Sequence, residues 1–484
     1  MLQNLGTRLA GVLAIVAAAT VALSIGSCSE TAAKQPDIVV IVLDTARPDY
    51  LSVYGHPRPT TPFLETFAKT GVRYDRAYST SSWTLPAHAS LFTGMPPEVH
   101  QAQQKNPKLG PELPVLAERL GKGGYQTIAV SNNAWVAKHT GLARGFDVFQ
   151  ERRDTVEGAQ GGATGGHPTV QAISRWLDEE RDPKKPYFLF VNLIEPHMPY
   201  RPPFEAAEPF IAPRDAWLAS MQAFFPPGQS PAFTTNRHYS KKKPLADEEW
   251  ARLRALYEGE LRATDAVVQQ IVARIDQASD PKNTLVFLLS DHGENLGDHG
   301  HITHIFNLYD TNLKIALLAR GPGFAPGTQE KKLVQILDLY PTILRAAALE
   351  PETGITGIDL RGKLPEARLL SAALDYPTLS FDTFSKDIRD SGALDPYKRE
   401  LSAAISARYK VIRASNGPLE IYDLISDPGE TKPLATEAID ADTLKGLVTF
   451  LDMSAARATT HLKSSELTQD PAVLKALKAL GYVE

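Results

Sequence analysis

Three apolar runs constrain this chain more than anything else in it. Asp37–Leu43 reads DIVVIVL, residues 187–194 read YFLFVNLI, and residues 285–290 read LVFLLS. None alternates apolar with polar residues, so each must be covered on both faces, as strands within a parallel sheet are. Helical patterns lie between and after them, at 112–120, 169–180, 247–278 and 339–348. Further strands are expected at 125–131 and 315–319. Strands alternating with helices predict an α/β fold: a large, mostly parallel sheet with helices on both faces. Past residue 360 the pattern changes. Short strand candidates at 369–374, 403–407, 410–412 and 419–424 predict a smaller antiparallel sheet, followed by a helix at 440–457 and a last one at 471–480. The expected layout is a large domain over 37–360 and a C-terminal α+β subdomain over 361–484.

Each apolar run ends in polar residues that can ligate a metal. They are Asp44-Thr45, then Glu195-Pro196-His197, then Asp291-His292-Gly293-Glu294. Open α/β sheets place their sites outside the carboxyl ends of strands. The stretch Trp83 to Gly94, WTLPAHASLFTG, predicts a short helix over 86–93, with Pro86 in its first turn and Gly94 as its stop. Thr84 then stands at the helix mouth, where it can act as an N-cap or attack an anion held by the free N–H groups. His88, four residues on, falls on about the same face. Asp44, Asp291, His292 and the Thr84 hydroxyl suit one divalent cation: Ca or Mg/Mn, with Zn also compatible. Such a cation lowers the pKa of a bound hydroxyl and makes it a nucleophile. His197, His299, His301 and His304 are candidates for a general acid or for charge stabilisation.

The N-terminus carries an address. Arg8 precedes an Ala-rich apolar run over 9–26, which closes in Ile25-Gly26-Ser27-Cys28. This reads as a lipoprotein-type signal peptide over 1–27 and a tether over 28–36. Cys28 is the only cysteine, so no disulfide is available and the fold must rest on its core. The expectation is an exported protein, lipid-anchored through Cys28 at a bacterial envelope, with Ser29 pointing to the outer membrane. The 51 Lys and Arg against 56 Asp and Glu give a net charge near −5, which argues against a nucleic-acid binder held by phosphate contacts. The Pro- and aromatic-rich stretch 198–245 breaks the alternation and is expected to be irregular, as a functional loop or a partly disordered insertion. It contains Lys241-Lys242-Lys243, which reads as a solvated face, and its aromatics and Arg201 could line a substrate entrance.

Taken together, these segments resemble the sulfatase family of the alkaline phosphatase superfamily. Asp44 to Gly55 (D-x-x-R-P-D-Y-L-S-V-Y-G) resembles the family's opening metal segment. T-L-P-A-H-A-S-L-F-T-G from Thr84 resembles the signature C/S-x-P-x-R-x-S-x-x-T-G. S-D-H-G-E-N-L-G-D-H-G from Ser290 resembles the second metal segment, and G-P-G at Gly321 and L-D-L-Y-P-T-I-L from Leu337 follow in order. I-Y-D-L-x-x-D-P-x-E from Ile421 resembles the C-terminal subdomain, and L-K-A-L-G-Y near Leu477 a common ending. The resemblance implies Thr84 as nucleophile, Asp44, Asp291 and His292 as metal ligands, and His197 as the residue assisting the leaving group. It implies His304 as the basic residue near the oxyanion, with His299 or His301 as alternatives, and His88 in place of the signature Arg. The departures matter. Sulfatases oxidise a Cys or Ser to formylglycine, and Thr84 is neither. Thr45 stands where an Asp is common, which removes an oxygen ligand. The expected activity is metal-dependent hydrolysis of phosphodiester, phosphomonoester or phosphonate esters ahead of sulfate. The other readings are an arylsulfatase-like hydrolase, an envelope phosphotransferase, or a non-catalytic ligand-binding descendant. The partner is then an ester substrate, an envelope glycan or lipid among the options.

Overall fold

In the computed structural model, the described residues are 34–152, 167–240 and 244–457. The signal segment, the Cys28 lipobox, the tether up to residue 33, the lysine run and the expected helix at 471–480 lie outside them. The apolar runs sit at the centre of an eight-stranded sheet. Its order is Thr328–Glu330, Val72–Tyr74, Leu317–Arg320, Thr284–Ser290, Asp37–Leu43, Tyr187–Leu193, Gln126–Ser131 and Val148–Glu151. Asp37–Leu43 pairs in parallel with both Tyr187–Leu193 and Thr284–Ser290. Every residue of those two neighbours is buried, as their lack of alternation requires.

Side-chain alternation shows that both faces are covered. Phe188 stacks on Phe146, and Phe190 meets Phe92 and His88 of helix Thr84–Thr93. Tyr187, pointing the other way, meets Trp176, whose segment follows helix Pro168–Arg175. That second layer is built on the 32-residue helix Asp247–Ala278, which buries Leu253, Tyr257, Leu261, Val268 and Ile271.

Two expectations are corrected. The stretch at 315–319 is not one strand: Lys314–Ile315 joins a small three-stranded sheet, while Leu317–Arg320 runs antiparallel to Thr284–Ser290. The segment 198–245 is not irregular either. It holds helices Phe204–Ala207, Arg214–Phe224 and Phe233–Tyr239, the first two packed on Asp247–Ala278.

Beyond residue 360, four antiparallel strands pair in chain order: Leu370–Leu374, Leu401–Ile405, Tyr409–Ala414 and Leu419–Asp423. Helix Ala441–Ala456 covers one face through Leu447 and Leu451 against Val411 and Ile421. The other face packs Ala403 and Ile412 against Leu308 and Leu313. Lys410 is buried at this junction, with its ammonium 2.5 Å from Asp310 and 2.7 Å from Glu430. The small sheet is thereby tied to helix Asp310–Leu313, directly behind the loop that carries His304.

Candidate active site and metal centre

Register brings the candidate ligands together. Leu43 is level with Ser290 in the parallel pair, so the next residues, Asp44 and Asp291, emerge side by side. The chain then turns sharply at Thr45, whose φ of 57° is unusual for a β-branched residue. The turn is clamped: the Tyr257 hydroxyl donates to Thr45 O at 2.8 Å and accepts Arg47 N–H at 2.9 Å. Thr45 N donates to Asp291 Oδ1 at 3.2 Å and His292 N to the same oxygen at 2.9 Å. His292 Nδ1 is bonded to Gly293 O at 3.0 Å, which turns Nε2 inward. That nitrogen lies 3.3 Å from Asp291 Oδ2 and 4.0 Å from Asp44 Oδ1.

Asp44, Asp291 and His292 are fully buried, and one ligand atom from each lies within 4.8 Å of the others. Asp44 Oδ1 and Asp291 Oδ2 have no hydrogen-bond partner. Burial, reinforced by the Asp291 charge, holds the Asp44 carboxyl well above the usual carboxylate range. Burial pushes Asp291 up to about 6. Two dry, inward-facing carboxylate oxygens beside an imidazole nitrogen fit a single divalent cation.

Helix Thr84–Thr93 begins at Thr84 itself, after an extended Trp83, and ends at Gly94 with φ 68°. The expected start at residue 86 and the capping role are both corrected. Thr84 is inside the first turn and makes no side-chain cap bond; its Oγ1 faces His292 Nε2 at 3.2 Å. His88 lies beneath, with Nδ1 2.9 Å from Thr84 O and 3.6 Å from Asp291 Oδ2, and Nε2 3.4 Å from the Asn192 amide.

The remaining histidines separate cleanly. The ring centre of His304 is 4.5 Å from that of His292 and 5.2 Å from that of His197. His197 Nδ1 bonds Met198 O at 2.5 Å, and burial draws both His197 and His304 down to about 3. His299 stacks on Tyr309, and His301 bonds the Tyr239 hydroxyl within an aromatic cluster. Neither His299 nor His301 bonds to the Asp-Asp-His group, so of the three alternatives only His304 shares its ring contacts.

Two residues missed in the sequence complete the floor. The Asn133 amide donates to Asp44 Oδ2 at 2.5 Å, and its carbonyl accepts from Trp135 N at 2.7 Å, which fixes its orientation. Asn192 is the one polar side chain inside Tyr187–Leu193, a signal the sequence carried.

Residues 36–349 match the family described as Sulfatase. The chain belongs to the sulfatase family. Arylsulfatase K of Homo sapiens is 23% identical over 472 residues, which span 88% of this chain and 84% of that protein. The phosphonate monoester hydrolase of Agrobacterium radiobacter shares the fold with a TM-score of 0.65 at 21% identity, covering 88% of this chain and 96% of that one. A protein solved with its substrate D-glucosamine-2-N,6-O-disulfate does so with a TM-score of 0.65 at 17% identity, covering 90% and 100%. This sulfatase-family protein is therefore an ester-bond hydrolase. Two cavities elsewhere, of about 530 and 850 Å³, are not lined by Asp44, Thr84, Asp291 or His292, and His299 lines the larger.

Proposed function

We propose that this protein hydrolyses singly charged phosphorus esters, phosphodiesters or phosphonate monoesters, with Thr84 as the direct nucleophile. The observation that carries the reading is the Thr84 hydroxyl on the first turn of its helix, 3.2 Å from His292 Nε2. Asp44, Asp291 and His292 would hold one divalent ion, Ca or Mg/Mn with Zn as a third option. Such an ion supplies Lewis-acid stabilisation of the oxyanion and lowers the hydroxyl's pKa. Thr84 Oγ attacks phosphorus in line, helped by the partial positive charge of the helix N-terminus. The leaving oxygen takes its proton from His197, and His88 supports Thr84 and Asp291 from below.

Charge supports the ester class. No Lys or Arg side chain bonds to Asp44, Thr84, Asp291 or His292 among the described residues. The nearby Arg47 is engaged with Asp49, Asp298 and the Glu294 carbonyl. Two carboxylates and one divalent ion sum to zero, which suits a monoanion better than a doubly charged phosphomonoester. Sulfate esters are also monoanions, but Thr84 cannot become the formylglycine on which sulfatases rely. The substrate is then an envelope glycan or lipid ester, with the enzyme exported and anchored through lipidated Cys28.

A panel of aryl phosphodiester, phosphonate, phosphomonoester and sulfate substrates, with each metal added back, tests this. Turnover should be highest on the first two and fall on the order of a thousandfold or more in Thr84→Ala. Sulfate as the preferred substrate, or unchanged turnover in Thr84→Ala, overturns the reading. Membrane fractionation tests the anchor: Cys28→Ser should move the protein to the soluble fraction.

A further inference from the structure

The four histidines of the site share one design with a single exception. Each has its Nδ1 held by a fixed partner. For His88 the partner is Thr84 O, for His197 it is Met198 O, and for His292 it is Gly293 O. All three are main-chain carbonyls. Of the four, only His304 has a carboxylate as its Nδ1 hydrogen-bond partner, Glu294 Oε1 at 3.1 Å, although His88 Nδ1 also lies 3.6 Å from Asp291 Oδ2. When Glu294 is ionised it accepts only, so the shared hydrogen sits on Nδ1 and Nε2 is the basic nitrogen of the His304 ring.

Glu294 is held for this task. Its side chain is fully buried. Its N–H donates to Thr311 O at 3.1 Å and its carbonyl accepts from Arg47 Nη1 at 2.9 Å, so the main chain is pinned on both sides. Asn312 fixes the other half of the pair, with its amide reaching His304 O at 3.3 Å and Asn307 Oδ1 at 2.9 Å. The Tyr200 hydroxyl also acts on this buried carboxylate, beside the His304 bond.

We propose that Glu294 is a positioning residue that makes His304 the general base for the second half of the reaction, release of the group bound to Thr84. This rests on Thr84 forming a covalent intermediate, as set out above. Water attacks phosphorus and a new P–O bond forms. The water proton passes to His304 Nε2, and the Glu294 carboxylate stabilises the resulting imidazolium. The bond between phosphorus and Thr84 Oγ breaks with its electron pair going to Oγ, which takes the proton back from His304. The Glu294 charge also acts on His197 through space, but His197 spends its Nδ1 on Met198 O, so only His304 is oriented by a hydrogen bond to that carboxylate.

Rapid mixing with an aryl phosphonate separates the half-reactions. Glu294→Ala should release one equivalent of aryl alcohol at close to the normal rate and then turn over about a hundredfold more slowly. Glu294→Gln, whose carbonyl still accepts the Nδ1 hydrogen, should recover part of the loss. His304→Ala should match Glu294→Ala, and the double variant should be no slower than either single one. Bound metal should stay stoichiometric in all of them. Equal slowing of burst and steady state, additive losses, or no loss in Glu294→Ala overturns the proposal while leaving Thr84 chemistry intact. Failure of the parent reading looks different: the burst would persist in Thr84→Ala.

Discussion

Two buried charge clusters in this protein are built alike and finished differently. At Lys410 a buried ammonium faces Asp310 and Glu430, with a third acceptor in Leu308 O at 3.2 Å. Its pKa is raised by those carboxylates against the pull of burial. Every charge there has an opposite one beside it. At Asp44, Asp291 and His292 the burial is as deep, yet among the described residues no Lys or Arg bonds to them and two oxygens face inward unpaired. The first cluster is complete as protein and ties one sheet to the other. The second could hold a cation. Buried charge alone does not mark a site, whereas buried charge left uncompensated does.

That contrast can be broken first at Asp291. Asp291→Asn should weaken metal binding by more than about a hundredfold, measured by titration calorimetry. The metal-free variant should be no less stable than the metal-free parent, because an unpaired buried carboxylate has been removed. The same kind of change at Lys410 should do the opposite. Lys410→Met leaves Asp310 and Glu430 facing each other, and chemical denaturation should show a loss of about 3–5 kcal/mol. Metal affinity per folded molecule should hardly change.

A smaller effect is expected at Asn133. Asn133→Ala frees Asp44 Oδ2 and should lower metal affinity about 10–100-fold, with little change in stability. The smallest effect is a slope. Asp291 titrates near 6 in the metal-free fold against 3.8 in the unfolded chain, so between those values the fold holds more protons than the unfolded chain. Metal-free stability should therefore fall as pH rises from about 4 to about 6, by roughly 1 kcal/mol per unit at most. Saturating metal should remove that slope, and metal affinity should drop below pH 6, where binding must displace a proton. Melting curves across pH, with and without metal, check both.

The central sheet was legible because its strands are uniformly apolar, and the meeting of Asp44, Asp291 and His292 at the strand ends could be read from position alone. The helix Asp247–Ala278 was legible to the residue, since a 32-residue amphipathic pattern leaves little choice. What could not be read has physical reasons. A continuous apolar run carries no face, so the reversed direction of Leu317–Arg320 was hidden. The short helices between 204 and 239 have proline just ahead of several starts and are held by packing on a neighbour, so local pattern marked them as loop. Thr84 looked like a cap because the sequence does not say which way its hydroxyl turns. Glu294 and Asn133 act through contacts between distant segments, and nothing nearby in the chain marks them apart from the strand ends they follow.

The claim on which the rest depends is that Thr84 itself carries the transferred group. Acid-quenching the metal-loaded enzyme during turnover of an aryl phosphonate, then weighing the peptide that contains Trp83 to Gly94, measures this directly. The predicted result is that peptide heavier by one phosphonyl group on Thr84, in Glu294→Ala above all. An unmodified peptide during active turnover, or an adduct on another residue, would contradict it.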